Sequence, residues 1–300
     1  MGYLDGNGVT YLWRKIKSAI AQGTAADAGK LGGKNPAYYL PARNLLDNSY
    51  FLRPINQRGR NAYKSDGLIY TIDRWELSTT GVGVDSNVEL TEQGAVYCIA
   101  LAGKYAQFTQ LLESPQLYYG KTLTLAMYLQ DEPAAGMVLL INTETEQSQV
   151  EMHAGLNVVT HTVQDGAANI YFRVQNNNLT EAGAIHPVWA AAYEGAYTAE
   201  TLPPYIPKGY AEELTACQRF YERVHSHIFF NDAGEVDYVI HYGNKRISAP
   251  TVTLGDTTFM SAIDVAFAAF NTAINDASGK IGVATGKGYW YGYFNVSADL

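Results

Sequence analysis

The residues best equipped for chemistry lie near the end of the chain. "HSH" places His225 and His227 two positions apart. On a strand that spacing turns both imidazoles to one face. Three such chains side by side would offer six imidazoles to one axial ion, an octahedral set. Directly after a helix, the same rings could instead hydrogen-bond its last carbonyls. "YWYGYFN" adds Tyr289, Trp290, Tyr291, Tyr293 and Phe294. On a strand Tyr289, Tyr291 and Tyr293 share one face, and Trp290 takes the other. Exposed rings stack on the apolar C–H faces of sugars, whereas inward rings build core or subunit interface. Tyr289, Trp290, Tyr291 and Tyr293 are therefore the candidate carbohydrate contacts, and His225 and His227 the candidate metal ligands.

Glycoside hydrolysis would need two carboxylates about 5 to 9.5 Å apart, one with a raised pKa. The sequence offers Glu144 with Glu146 and Asp232 with Glu235, each in a turn-like run where solvated acids are the ordinary expectation. There is no Gly-x-Ser-x-Gly elbow, no His-Glu-x-x-His and no phosphate-binding Gly-x-x-x-x-Gly-Lys. "NDAGEVD" lacks the ligand spacing of a calcium loop. The expectation is a protein that is not an enzyme and needs no cofactor.

The elements that must position these residues can be read from composition and period. Apolar residues make 47% of the 300 and charged residues only 17%, a balance that builds cores and argues against disorder. A net charge of −8 with no basic block excludes a nucleic-acid groove, because phosphates need clustered cations. Cys98 and Cys217 form neither a disulfide framework nor a zinc pattern and read as two separate thiols. No apolar run approaches the ~20 residues that span a bilayer. The N-terminus lacks the basic-then-apolar order of a secretory signal. A soluble chain made in the cytoplasm, without membrane insertion, is expected.

"GVTYLWRKIKSAIAQG" spaces Val9, Leu12, Ile16 and Ala19 as a helical stripe, with Asn7 able to cap it and Gly23 to end it. A helix this short is marginal alone in water, so the stripe needs a partner. "KLGGKNPAYYL", residues 30–40, is neither helix nor strand and reads as a junction. From about residue 44 to 201 the period becomes two. "KTLTLAMYLQ" alternates Leu123, Leu125, Met127 and Leu129 with smaller or polar residues, and "GLIYTIDRWEL" places Leu68, Tyr70 and Ile72 on one face. Trp75 and Trp189 fall in such segments and are expected in the core. Short strands without intervening helices indicate a β-sandwich of jelly-roll type. "TLPPYIPKGY" then gives a stiff linker. In "YAEELTACQRFYERV", Tyr210, Leu214, Cys217, Tyr221 and Val224 follow a second heptad. The final segments return to strands, and "SAIDVAFAAFNTAI" is expected to follow them.

The fold expectation is thus mainly β: a jelly-roll sandwich plus a C-terminal β tip domain, with two short heptad helices. The predicted boundaries are 1–43 for the N-terminal helix and junction, 44–202 for the sandwich, 203–224 for the linker and second helix, and 225–300 for the tip. Two apolar ridges, Val9, Leu12, Ile16 and Leu214, Cys217, Tyr221, are the candidate seam of a homotrimer.

Several of these segments together resemble a known family. "LDGNGVTYLWRKIKSAIA", "ADAGKLGGKNPAYYL", "NLLDNSYFLRPINQRG…YTIDRW" and "YIPKGYAEELTACQRFYERV" are similar to tail-fibre or receptor-binding proteins of phages and prophages of Gram-positive gut bacteria. "RISAPTVTL" and "VSADL" resemble their tip domains. The resemblance implies a homotrimer in the virion tail, partnered by other tail or baseplate proteins, that attaches to a host surface glycan. It carries no motif-defined catalytic residue. Two alternatives remain open at this point: a purely structural trimeric tail or baseplate component, and a tailspike-like glycan depolymerase, although the repeating coils often expected of the latter are missing.

Overall fold

The computed structural model describes residues 9–18, 42–65, 67–79, 86–177, 182–230, 234–247, 249–260, 263–267, 271–272, 276–285 and 288–298. The junction at 30–40, Ala19 and Gly23 lie outside the described residues. Helix α1 covers 9–18. The first β region opens with β1 (Ala62–Ser65), β2 (Leu68–Tyr70), β3 (Glu76–Ser78), β4 (Ser86–Leu90), β5 (Val96–Leu101) and β6 (Gln107–Leu111). It continues with β7 (Thr122–Leu129), β8 (Met137–Asn142), β9 (Gln147–Glu151), β10 (Gly155–Thr162), β11 (Tyr171–Asn176), β12 (Gly183–Ile185) and β13 (Pro187–Glu194). Helix α2 (Tyr210–Gln218) leads into β14 (Tyr221–Phe230), β15 (Gly234–His241), β16 (Thr251–Met260), β17 (Ile263–Phe267), β18 (Asn271–Thr272), β19 (Asp276–Thr285) and β20 (Gly288–Ser297). The chain is mainly β, and its described strand pairs are antiparallel.

Three sheets enclose the first core, in the orders β1-β4-β5-β12, β10-β7-β13 and β2-β3-β6-β11-β8-β9. Leu123, Leu125, Met127 and Leu129 of β7 point into it, as their alternation predicts, and meet Leu139, Ile141, Phe172 and Val174 of the six-stranded sheet. Trp75 and Phe108 stack within it at 4.6 Å between centroids, with Phe51 tilted 5.4 Å from Trp75. Such pairs add about 0.5–1.5 kcal/mol each beyond the area they bury.

"GLIYTIDRWEL" is two strands rather than one. A tight turn with Arg74 at φ 73° separates β2 from β3, and Ile72 is buried in that turn. The segment holds its shape through Asn48, which is almost wholly buried. Its amide donates to the carbonyls of Ile55 (2.8 Å) and Asp73 (2.7 Å) and accepts from the Ile55 N–H (2.6 Å). The Trp75 indole donates to the Asn48 carbonyl at 2.9 Å. A buried amide with both ends satisfied specifies one arrangement of the segments around it. The motif "NLLDNSYFLRPINQRG…YTIDRW" is, in this chain, a structural knot.

The proline segment lies along the outer face of the three-stranded sheet. Tyr205 stacks on Trp189 at 4.6 Å, and Leu202 packs against Ala126, Ala191 and Tyr193. Trp189 is therefore half-buried under this strap, not in the inter-sheet core that its strand position predicted.

The second helix also differs from expectation. It ends at Gln218, and Tyr221 and Val224 belong to β14, so the tip sheet starts four residues before the predicted boundary at 225. The reason is backbone capture: the Arg246 N–H donates to the Arg219 carbonyl and the Ala298 N–H to that of Phe220, which leaves the helix no continuation. Cys217 and Tyr221 are buried within their own chain, so neither presents a ridge to a sister copy; Leu214 is half-buried. Every apolar residue of α1, by contrast, is exposed.

Two C-terminal sheets, β14-β20-β16 and β15-β19-β17 with β18 also on β19, close over Ile228, Tyr238, Ile240, Trp290, Phe294 and Val296. "SAIDVAFAAFNTAI" contributes β17 and β18, as expected. Several contacts tie this region to the first. Gln57 Nε2 donates to the Tyr221 carbonyl at 2.7 Å, Arg58 lies 3.9 Å over the Tyr221 ring, and Arg74 lies 3.4 Å over Phe220.

Candidate functional site

The sheet β14-β20-β16 has one face in the core and one outward, and the strand period assigns its residues. In β20, Trp290, Gly292, Phe294 and Val296 are buried while Tyr291, Tyr293 and Asn295 are half-exposed. In β14, His225 and His227 are exposed on that same outer face, because His225 pairs with Tyr293 and His227 with Tyr291.

The four rings form one continuous row. Tyr291 sits edge-on between the imidazoles, 4.2 Å from His225 and 4.1 Å from His227. His225 also lies 4.6 Å from Tyr293, and the imidazoles are 5.3 Å apart. Arg223 extends the row by covering Tyr293 at 4.2 Å, and its guanidinium pairs with Asp256 at 2.8 Å. Tyr221 donates its hydroxyl proton to Asn295 Oδ1 at 2.9 Å. Close approach of β16 supports this end: at Gly255 a Cβ would come within 3.0 Å of the Tyr293 carbonyl and of Asn295 Oδ1. Any larger residue would push the irregular β16 edge away from the row.

This arrangement offers ring faces and edges flanked by imidazole nitrogens, a guanidinium and an amide. Such a surface suits a pyranose, whose C–H face is apolar and whose rim is hydroxyl. It divides the predicted contacts. Tyr291 and Tyr293 belong to the face, whereas Trp290, 1% exposed, is core. Tyr289 lies in β20, but its side chain is outside the described residues. His225 and His227 do share a face, as their spacing predicts. Among the described residues no three His, Cys, Asp or Glu side chains gather as metal ligands. One chain supplies two imidazoles here, and a full ligand set would require other chains.

Of the two candidate carboxylate pairs, only Glu144 with Glu146 falls among residues whose side chains are described. Glu144 and Glu146 are exposed. The slight burial that would raise Glu144 is outweighed by hydrogen bonds from its own backbone and from Asn169, which hold it below the usual carboxylate range. Asp232 and the side chain of Glu235 lie outside the described residues. Burial, with Asp73, Glu213 and Asp47 nearby, pushes the Cys217 thiol well above its ordinary value, the opposite of the shift that activates a thiol.

A cavity of about 620 Å³ opens elsewhere, between the Asn48 knot and the strap, lined by Tyr50, Arg53, Ile55, Pro207, Lys208 and Tyr210. Two of its polar groups, Lys208 and Glu213, are already committed. Lys208 binds Asp47 at 2.7 Å and the Leu46 carbonyl at 2.9 Å, and Glu213 accepts the Asn48 N–H. Burial would raise Asp47, but Lys208 and Arg74 hold it below the normal range.

Sequence reasoning missed Arg223, Asn295 and Asp256, and assigned Tyr221 to an assembly seam instead of to this sheet. The signal for two of them was present: Tyr221, Arg223, His225 and His227 recur at intervals of two and must share a face once the helix ends at Gln218. In comparisons with known proteins, no family model matches the chain and no curated protein is significantly similar to it. The described residues contain no helix long and apolar enough to cross a membrane.

Proposed function

We propose that this protein is the receptor-binding subunit of a phage or prophage tail fibre of Gram-positive gut bacteria, a homotrimer in the virion that attaches to host surface carbohydrate. In this reading residues 44–202 are a jelly-roll sandwich and the C-terminal sheets are the tip. The single observation that carries it is the outward row of His227, Tyr291, His225 and Tyr293, exposed or half-exposed although many rings of the chain are packed away. Each such site binds weakly, and three copies on one particle compensate through effective concentration.

A glycan array of host wall polysaccharides, probed with the purified protein and with Tyr291→Ala, tests this. Binding that weakens in the variant is expected. Silence across the array overturns carbohydrate attachment.

One observation favours the second reading, a purely structural trimeric tail or baseplate component. The uncovered stripe of α1, with Val9, Leu12 and Ile16 between 40% and 55% exposed, suits a helix that serves assembly alone. A trimeric mass in solution combined with a silent array would select it.

A further inference from the structure

The outer face of the six-stranded sheet holds a depression of about 510 Å³, far from the C-terminal row in sequence. Strand pairing fixes its floor. Gln107, Arg173 and Gln175 face outward from β6 and β11, and Asn142, Gln147 and Gln149 from β8 and β9. The alternate residues Phe108, Phe172, Val174, Leu139 and Ile141 fill the core beneath.

Three properties of this floor point to a ligand. First, its amides are lined up and only partly used. Gln107 Nε2 donates to Gln175 Oε1 and Gln175 Nε2 to Asn177 Oδ1, both at 2.6 Å. Asn142 Oδ1 is buried without a donor, and among the described residues the side chains of Gln147 and Gln149 make no hydrogen bond. Second, the half-buried Arg173 guanidinium lies 3.9 Å over the Tyr171 ring, yet its Nε has no acceptor and no carboxylate pairs with it among the described residues. A guanidinium in this state is a set of donors waiting for oxygen. Third, Tyr105 stands at the rim, 49% exposed, on a backbone with φ 66°. A bulky residue rarely adopts that conformation. It is held by its own N–H, which donates to the Asn176 carbonyl at 2.7 Å. Strain held in place by neighbouring bonds clusters at ligand sites.

We propose that this face is a carbohydrate site separate from the C-terminal row, and that it takes a neutral oligosaccharide. Orphan donors beside orphan acceptors need a group that both gives and takes hydrogen bonds. A hydroxyl does so, while a carboxylate or phosphate only accepts. The Tyr105 ring, still 49% exposed although the Lys104 ammonium lies 4.8 Å from its centroid, supplies the stacking surface for a sugar's C–H face. This site stands whether or not the chain trimerises.

Isothermal titration of the intact protein with cellohexaose, xylohexaose, mannohexaose and laminarihexaose, with polygalacturonate as the anionic probe, tests it. At least one neutral hexasaccharide is expected to bind. Tyr105→Ala and Gln149→Ala should each weaken that binding about tenfold, as loss of a stacking ring or a direct hydrogen bond does. Arg173→Met, which keeps an unbranched stem over Tyr171, should weaken it as much. Lys64→Ala, exposed on β1 of a different sheet, should leave it unchanged. No binding of any neutral hexasaccharide, binding of polygalacturonate alone, or binding insensitive to Tyr105→Ala overturns the proposal. If Arg173→Met fails to fold, the two exposed variants still decide. Binding that falls with Tyr291→Ala but not with Tyr105→Ala would support the C-terminal row and sink this site.

Discussion

Val9, Leu12 and Ile16 in α1 and Tyr210, Leu214 and Cys217 in α2 repeat at similar helical spacings, yet their surroundings differ. The three α1 residues are 55%, 49% and 40% exposed. In α2 the stripe turns inward along its length: Tyr210 is 71% exposed, Leu214 half-buried and Cys217 fully covered. The second helix is also fastened at its sides, by Glu213 to the Asn48 N–H and, just past its end, by Arg219 to Glu113 at 2.9 and 3.1 Å. An apolar stripe records that something must cover it, and is silent about whether the cover is the same chain or another.

The largest expected effect comes from Cys217→Asp. It places a carboxylate in a dry site beside Asp73, Glu213 and Asp47, and should cost about 3 kcal/mol or more. Urea denaturation would register it as a lower midpoint; an unchanged midpoint would mean that α2 is not bolted to its own chain.

Leu12→Asp tests the other helix. In a parallel trimer three charges would converge on an apolar axis, so light scattering should show monomer in place of trimer, with the melting temperature of the β regions retained. A variant that assembles like the parent would leave α1 without its proposed role. Leu214→Asp sharpens the contrast: at a half-buried position on a helix whose stripe turns toward its own chain, it should cost no more than about 1 kcal/mol and leave the mass unchanged. Dissociation by this variant would restore α2 as a trimer contact.

The smallest effect belongs to Glu213→Gln. Burial raises the folded pKa of Glu213 above its ordinary 4.5, with the Asn48 N–H opposing. A raised acid favours folding in its protonated form, and that contribution is full below pH 4.5 and lost as pH rises through the folded value. Glutamine mimics the protonated state, so the variant should melt slightly higher than the parent at pH 7 and equally at pH 4. A lower melting point at pH 7 would show that the charge itself holds α2.

Much of this was legible in the chain. The alternation of Leu123, Leu125, Met127 and Leu129 announces a half-buried strand because side chains on a strand change sides at every residue. His225 and His227 share a face for the same reason. Trp290 shows the limit: period two separates it from Tyr291 and Tyr293 but cannot say which side is wet. Trp189 shows another, since a residue on an outer sheet face becomes half-buried only when a distant segment such as Tyr205 lies across it.

The sequence by itself determined the mainly β class, the helical stripe of α1, the separation of Trp290 from its tyrosine neighbours, and the lack of a basic surface, since each follows from local period or composition. Only the tertiary structure decided where α2 stops, which face of β20 is outward, and that Gln107, Asn142, Gln149, Arg173 and Tyr105 meet in one depression. Those outcomes depend on pairing between strands far apart in the chain, and hydrogen-bond register across such distances leaves no trace in the spacing of any one segment.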